Sequence, residues 1–122
     1  MVLPSRIHEE FQHAFNAGDL EGLIALYEPG AVFAAQPDGQ ISGHDAIWEA
    51  YRGFLSGQPE IHLETVRVLE TADGIAMLHG RWEMIRIHPD GSESRTQGRN
   101  TEVVRRQADG RWLFVVDNPV TP

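Results

Sequence analysis

The chain contains no cysteine, which excludes disulfide bonds, thiolate nucleophiles and zinc–thiolate sites. No apolar run approaches the ~20 residues that a membrane-spanning helix needs, and the first residues lack a charged region followed by an apolar one. Positive charge is scarce as well: 10 basic and 18 acidic residues give a net charge of −8. This excess of carboxylates repels the phosphates of nucleic acids. The sequence therefore predicts a soluble, cytoplasmic protein with neither nucleic acid nor membrane as a partner.

The chain does have the size and balance of one ordinary domain. Its 122 residues are 41% hydrophobic and 23% charged, which is typical of soluble globular proteins. A second domain would fall below the common size range. We therefore expect residues 1–122 to form a single domain.

Helical spacing of apolar residues predicts three helices in the first half of the chain. The first ends at Gly18, the second is capped by Asp19 and carries Tyr27, and the third spans residues 44–56. A short strand at residues 31–36 lies between the second helix and the third. The helical pattern then stops, and β-branched and aromatic residues alternate with polar ones.

Three Asp-Gly turn signals divide this second half into four predicted strands. The strands are placed near residues 60–70, 75–88, 93–107 and 111–118. Helices followed by a meander of strands indicate an α+β fold, a curved antiparallel sheet with helices on one face.

The last strand is apolar on both of its faces, from Trp112 to Val116. Both faces should then be covered, and the helices cover only one. A second copy of the chain is the expected cover for the outer face, hiding Trp82 as well if it points the same way. The alternative is that a local loop buries Trp112.

Several sequence blocks resemble the ketosteroid isomerase-like, or SnoaL-like, proteins of the nuclear transport factor 2 superfamily. The front half is similar over Asn16 to Tyr27 and Ser42 to Ile47, and the back half over Gly98 to Arg106, Asp109 to Trp112 and Val116 to Pro119. The resemblance implies a cystatin-like, cone-shaped sheet whose concave face is covered by three N-terminal helices that enclose a pocket. It says less about activity, because this scaffold hosts isomerases, cyclases, dehydratases, epoxide hydrolases and binding-only proteins.

The resemblance carries over only one of the three catalytic groups of ketosteroid isomerase. In that enzyme an aspartate moves the proton, while a tyrosine and a protonated aspartate donate hydrogen bonds to the developing enolate. Ala35 stands at the position of the base and Phe11 at that of the tyrosine, whereas Glu102 falls at or near the second aspartate. Steroid isomerisation by the family mechanism is therefore not expected.

The same resemblance implies a polar set of side chains that face the pocket. Its members are His79, Arg81, Glu83, Asn100, Glu102 and Asp117. Because side chains alternate along a strand, Met77 shares the face of His79, and Leu113 and Val115 share that of Asp117. Leu78, Trp82 and Met84 are then expected on the outer face.

These polar residues suggest a catalytic site. His79, Glu102 and Asp117 are the candidate catalytic residues, with His79 and Glu102 as a general acid and base. Arg81 and Asn100 are candidates for orienting a polar group of the substrate. The alternatives are a cross-strand ion pair between His79 and Glu102, neutralisation of a carboxylate by Arg81, and a structural role for Asp117 at the end of its strand.

Aromatic residues of the helical segments could form an apolar wall for a ligand. The candidate substrate-binding residues are Phe11, Phe15, Tyr27, Trp48 and Tyr51. An aromatic stripe at helical spacing is also what a plain hydrophobic core requires.

No metal and no cofactor are expected. His8 and His13 do not share a helix face, and Glu9 with His13 would leave most of a metal's coordination shell unfilled. A glycine-rich phosphate loop between a strand and a helix is also absent from the sequence.

Two hypotheses follow. In the first, the protein binds a small, partly apolar molecule and acts on it by acid–base chemistry of the isomerase, cyclase or hydratase type. In the second, it is a non-catalytic ligand-binding or dimeric interaction protein with a vestigial pocket.

Overall fold

The structure is a computed structural model that describes residues 2–122. Its helices are α1 (Arg6–Asn16), α2 (Leu20–Ile24) and α3 (His44–Phe54). Its strands are β1 (Tyr27–Ala35), β2 (Gly39–Ser42), β3 (Glu60–Glu70), β4 (Ile75–Ile87), β5 (Glu93–Arg106) and β6 (Trp112–Thr121). The three predicted helices and the four predicted strands of the second half are confirmed.

The strands form one curved, unclosed sheet in the order β2-β1-β6-β5-β4-β3. Strands β3 to β6 form an antiparallel meander, and β2 pairs antiparallel with β1. The α+β fold class is confirmed. One pairing departs from the antiparallel expectation: β1 runs parallel to β6, to which it is connected through most of the chain rather than by a hairpin.

The short second helix determines where Tyr27 lies. The Asp19 side chain accepts a hydrogen bond of 3.0 Å from the backbone N–H of Gly22, as expected of an N-cap. The helix nevertheless ends at Ile24, and the Leu26 carbonyl already accepts a hydrogen bond of 2.7 Å from the backbone of Phe114 in β6. The prediction of Tyr27 on this helix was wrong, because pairing with β6 takes the chain into β1.

The hydrophobic core lies between the helices and the concave face of the sheet. Ile7 and Phe15 of α1 and Ile47 of α3 are buried there. They pack with Leu78 and Val104, which are completely buried on the concave side of β4 and β5. Apolar burial of this kind is the main favourable contribution to folding.

The alternation along β4 is opposite to the one that the resemblance implied. Leu78 is buried opposite Glu102, so Trp82 and Met84 share its concave face. His79, Arg81 and Glu83 therefore face outward, together with Met77. Placing these four residues in the pocket was wrong.

Strand β6 contains a bulge that changes which residues face the concave side. Phe114 pairs with Val104, but Val116 pairs with the preceding residue, Val103, so Val115 is an extra residue. As a result Phe114 and Asp117 are both buried on the concave side. The prediction for Asp117 is confirmed, and those for Leu113 and Val115 were wrong.

Two glycines of the concave face make room for large side chains on the neighbouring strand. Gly80 of β4 pairs with Asn100 of β5, and Gly98 of β5 pairs with Trp82 of β4. A Cβ atom on Gly80 would lie 2.8 Å from the Asn100 amide, and one on Gly98 would lie 2.7 Å from the Trp82 ring. Each glycine is therefore matched to the side chain lying across it.

The two tryptophans of the sheet, Trp82 and Trp112, are covered within the chain itself. The Trp112 ring is 3% exposed, its Nε1 donates a hydrogen bond of 3.1 Å to the Val2 carbonyl, and the Arg106 guanidinium lies over it. Trp82 Nε1 donates a hydrogen bond of 2.7 Å to the Pro119 carbonyl on the concave side. Local burial, the alternative weighed from the sequence, accounts for Trp112.

None of the helices within residues 2–122 is long and apolar enough to cross a membrane.

Candidate active site

A cavity of about 450 Å³ remains between the helices and the concave face of the sheet. This volume falls in the range of about 300–1,000 Å³ that is usual for small-molecule sites. Most of the wall is aromatic or aliphatic, with Phe11 and Phe15 from α1, Tyr51 from α3 and Phe114 from β6. The polar residues concentrated on one side of it are His8, Asn100, Glu102 and Asp117.

Glu102 is the centre of the first polar group. Its carboxylate accepts hydrogen bonds of 3.0 and 2.7 Å from the Asn100 amide, one to each oxygen. His8 Nε2 is in hydrogen-bond contact with Oε1 of Glu102, and His8 Nδ1 lies 2.7 Å from the Thr65 hydroxyl. The side chains of His8, Asn100 and Glu102 are all buried. A carboxylate with this many donors is held in one orientation as an acceptor.

Thr65 fixes the orientation of the His8 imidazole. Its hydroxyl can donate to His8 Nδ1 or accept from it, because a hydroxyl does both. The ring is thereby held with Nε2 directed at Glu102.

Asp117 is the centre of the second polar group. It lies opposite Glu102 on the neighbouring strand. The Tyr27 hydroxyl donates a hydrogen bond of 2.5 Å to Asp117 Oδ2, and the Tyr51 hydroxyl lies 2.5 Å from that of Tyr27. Because Tyr27 gives its only hydroxyl proton to Asp117, Tyr51 is the donor in their contact. The result is a chain of hydrogen bonds from Tyr51 through Tyr27 to Asp117.

The two carboxyl groups lie in different environments. Burial first, and the negative charge of Glu102 second, raise the pKa of Asp117 to about 8, against the opposing hydrogen bond from Tyr27. Burial and the nearby Asp117 also raise the pKa of both tyrosines well above its usual value. At neutral pH Asp117 is therefore mainly an un-ionised acid, and both tyrosines are neutral donors. A carboxylate acceptor beside a carboxylic acid is an arrangement that can move protons.

The structure brings together three of the sequence-predicted polar residues and separates the others. Asn100, Glu102 and Asp117 meet at the cavity. His79 is on the outer face, where its Nδ1 lies 3.2 Å from the Thr101 hydroxyl, so it is not the partner of Glu102. Arg81 is exposed and forms an ion pair with Glu64 at 3.0 Å. The predicted pairing of His79 with Glu102 and the pocket position of Arg81 were wrong, because β4 presents its other face to the cavity.

Three of the five predicted aromatic wall residues line the cavity: Phe11, Phe15 and Tyr51. Tyr27 is completely buried behind the wall and reaches the site only through its hydroxyl group. Trp48 packs against the core on α3 and does not line the cavity. Their predicted positions in the wall were wrong, since Tyr27 belongs to β1 and α3 lines the cavity with Ala50, Tyr51 and Phe54.

Sequence reasoning missed His8 as a site residue. The signal was available, because Phe11 and Phe15 follow it at three and seven residues, a spacing that places all of them on one helix face.

Within residues 2–122 there is no cluster of three or more histidine and carboxylate side chains that could hold a metal ion.

Comparison with protein families gives one match, to the SnoaL-like domain, over residues 8–115. None of the curated proteins matches the chain significantly. Among solved structures, the ketosteroid isomerase-like protein from Erwinia carotovora atroseptica is 18% identical over 98% of this chain and 95% of its own, with a TM-score of 0.80.

Two further solved structures carry the names of dehydratases. A candidate scytalone dehydratase from Novosphingobium aromaticivorans is 16% identical over 93% of this chain and 78% of its own, with a TM-score of 0.82. A candidate dehydratase of the nuclear transport factor 2-like family from Streptomyces avermitilis is 18% identical over 97% of this chain and 94% of its own, with a TM-score of 0.81. At these identities the likeness establishes the fold.

Proposed function

The chain belongs to the SnoaL-like domain family, and from this premise we propose that it catalyses acid–base chemistry of the dehydratase or isomerase type on a small, partly apolar molecule. One observation carries the proposal. Two carboxyl groups, Glu102 and Asp117, meet on neighbouring strands at a largely apolar cavity, one held as an acceptor and the other kept as an acid. Pairs of titratable groups in contrasting environments are typical of acid and base assignments.

In the proposed reaction Glu102 is the base and Asp117 the acid. Glu102 takes a proton from a carbon of the substrate, and Asp117 donates its proton to a substrate oxygen. If that oxygen is a hydroxyl β to a carbonyl, the C–O bond breaks, a C=C bond forms and water leaves. If it is a carbonyl oxygen, the product is an enol, and return of the proton to another carbon completes an isomerisation. Each route is redox-neutral and needs no co-reactant.

The remaining polar residues position these two groups. His8 and Asn100 fix the orientation of the Glu102 carboxylate. Tyr51 and Tyr27 orient Asp117 by the hydrogen bonds they donate. Tyr51 also lines the cavity, so it connects this hydrogen-bond chain to the cavity wall.

The steroid isomerase mechanism of the wider superfamily remains unsupported. Phe11 and Ala35 both line the cavity, and neither has a hydroxyl or carboxyl group to offer. The names of the solved relatives, which include candidate dehydratases, are consistent with elimination as the reaction.

A direct test measures dehydration of phenyl-substituted β-hydroxy ketones, whose products are conjugated enones that absorb in the ultraviolet. A parallel nuclear magnetic resonance measurement follows exchange of the α-protons of cyclic ketones with deuterium oxide. We expect one or both reactions above the buffer rate, with activity falling as Asp117 ionises through a pKa of about 8. Tight binding across the set without either reaction would favour the non-catalytic alternative.

We also propose that the protein forms a homodimer through the outer sheet face. Four apolar side chains form a row across the paired strands β3 to β6 on this face: Leu69, Met77, Val103 and Val116. Leu69, Met77 and Val116 are 45%, 39% and 38% exposed. A continuous exposed apolar row of this kind is typical of a surface that pairs with its own copy.

Light scattering after gel filtration tests the dimer. The wild-type chain should have twice its own mass of 13.7 kDa, and Met77→Glu should have the single mass, because a buried unpaired charge opposes association. Ile87→Glu is the matched control, since Ile87 is more exposed and lies at the far end of β4. A dimer that survives Met77→Glu would exclude this face as the interface.

A further inference from the structure

We propose that the cavity selects ligands that carry a hydrogen-bond donor, and that it rejects carboxylates and phosphates. This inference deepens the proposed function and rests on it for the cavity's being a substrate site. It is carried by the distribution of charged side chains around the cavity and by one open acceptor position on Glu102.

No fixed positive charge faces the cavity. The chain has no lysine, so its 10 basic residues are all arginines, and none of them lines the cavity. The arginines near the concave strands point elsewhere: Arg81 pairs with Glu64 on the outer face, and Arg86 donates to the carbonyls of Phe54 and Ser56 at the end of α3. An anionic ligand would therefore lose its hydration without gaining a cationic partner.

The charge that is present in the cavity disfavours anions further. Glu102 is buried and is held as a carboxylate acceptor by His8 and Asn100. A ligand carboxylate in the same cavity would meet it across a poorly solvated space, where like charges repel far more strongly than in water. The carboxylate and phosphate classes are therefore rejected by charge rather than by size.

One acceptor position of the cavity lining is open. Oε1 of Glu102 is contacted by both His8 and Asn100, whereas Oε2 accepts a hydrogen bond from Asn100 alone. A carboxylate oxygen can accept about two hydrogen bonds, so Oε2 keeps room for one more donor. Glu102 lines the cavity, and an N–H or O–H group of the ligand would fill this position.

The experiment compares three probes of nearly equal shape at neutral pH by isothermal titration calorimetry. They are naphthalene carboxamide, its methyl ester counterpart and naphthalene carboxylate. We expect the carboxamide to bind about 100-fold more tightly than the carboxylate, because of repulsion and desolvation. It should bind about five-fold more tightly than the ester, which has no donor for Glu102.

Two variants connect the selection to its cause. Glu102→Gln should reduce the preference for carboxamide over carboxylate to about ten-fold or less. Glu64→Gln removes the same charge from the outer face, where Glu64 pairs with Arg81, and should leave the preference unchanged. Both variants remove one negative charge from the protein, so a difference between them comes from where the charge lies, at the cavity or on the outer face.

Several outcomes would overturn the inference. Carboxylate binding as tight as that of the carboxamide contradicts charge selection, and ester binding as tight as carboxamide binding contradicts the donor requirement. Failure of all three probes to bind also contradicts it, because the apolar cavity should accept a ring of this size. None of these measurements needs turnover. Charge-selective binding without any reaction would therefore overturn the proposed catalysis alone.

Discussion

Replacing Glu102 by alanine is expected to lower the free energy of unfolding by about 3–5 kcal/mol, the usual effect of removing one partner of a buried charged pair. The substitution leaves the His8 imidazole and the Asn100 amide buried without their shared acceptor. It also leaves a void beside the cavity. Chemical denaturation followed by tryptophan fluorescence gives the measurement, since both Trp82 and Trp112 report on the folded sheet.

Glu102→Gln separates the structural role of this residue from its chemical one. Glutamine keeps the shape and can still accept a hydrogen bond from Asn100, so its stability should be closer to wild type than that of the alanine variant. It cannot act as a base, however, and turnover in the dehydration or exchange assay should fall by about 10²- to 10⁴-fold. Full activity in Glu102→Gln would remove Glu102 from the mechanism.

Glu64→Ala provides the comparison for the stability measurement. Glu64 is also paired, but its ion pair with Arg81 is on the exposed outer face. Exposed pairs of this kind contribute about 0–1 kcal/mol. If Glu64→Ala lowered the free energy of unfolding as much as Glu102→Ala does, burial of the Glu102 pair would not explain its contribution to stability.

The second large effect is expected in the pH dependence of stability, through Asp117. In the folded chain its pKa is raised to about 8, whereas its ordinary value is 3.8. Between these two values the folded state holds a proton that the unfolded state has lost. The contribution of this group is therefore fully present below about pH 4 and is lost as the pH rises through about 8. The free energy of unfolding should fall by about 3–5 kcal/mol across this window.

Asp117→Asn identifies the source of this slope. Asparagine has a similar shape and does not ionise, so the variant should lose most of the decline and be more stable than wild type in mildly alkaline solution. Asp109→Asn is the control. Asp109 is exposed, and its hydrogen bonds with Arg111 lower its pKa, so it is fully ionised across the window. A slope that persists in Asp117→Asn would contradict the assignment.

Most of the fold could be predicted from the sequence, because local signals determine it. The Asp-Gly turns separate β3, β4, β5 and β6, and each of these strands begins within about two residues of its predicted start. The capping side chain of Asp19 gave the start of α2. The end of α2 was missed, since the pairing of the following residues with β6 is a long-range contact that no local pattern contains.

The candidate site was harder to predict because it depends on strand alternation. On β4 a shift of one residue exchanges every inward side chain for an outward one. Burial alone would have given the observed face, since Leu78, Trp82 and Met84 are apolar while His79 and Arg81 between them are polar. The family resemblance was used instead to decide which side chains of β4 face inward, and it placed His79 and Arg81 in the pocket.

Asp117 shows the opposite case, a correct residue reached by an incomplete argument. Simple alternation along β6 grouped it with Leu113 and Val115, but the bulge at Val115 groups it with Phe114 instead. The sequence does not mark this bulge with a glycine or any other turn residue. Its position follows from pairing with β5, which only the folded sheet reveals.

The reciprocal glycines of β4 and β5 have a consequence for how this cavity can diverge among descendants of the chain. Since Gly80 and Asn100 fill one shared space, and Gly98 and Trp82 another, neither member of a pair can grow without its opposite member shrinking. Mutational paths to a new ligand shape would then pass through compensating double exchanges. The identities of these four positions should accordingly vary as two linked units, each conserving total volume rather than residue type.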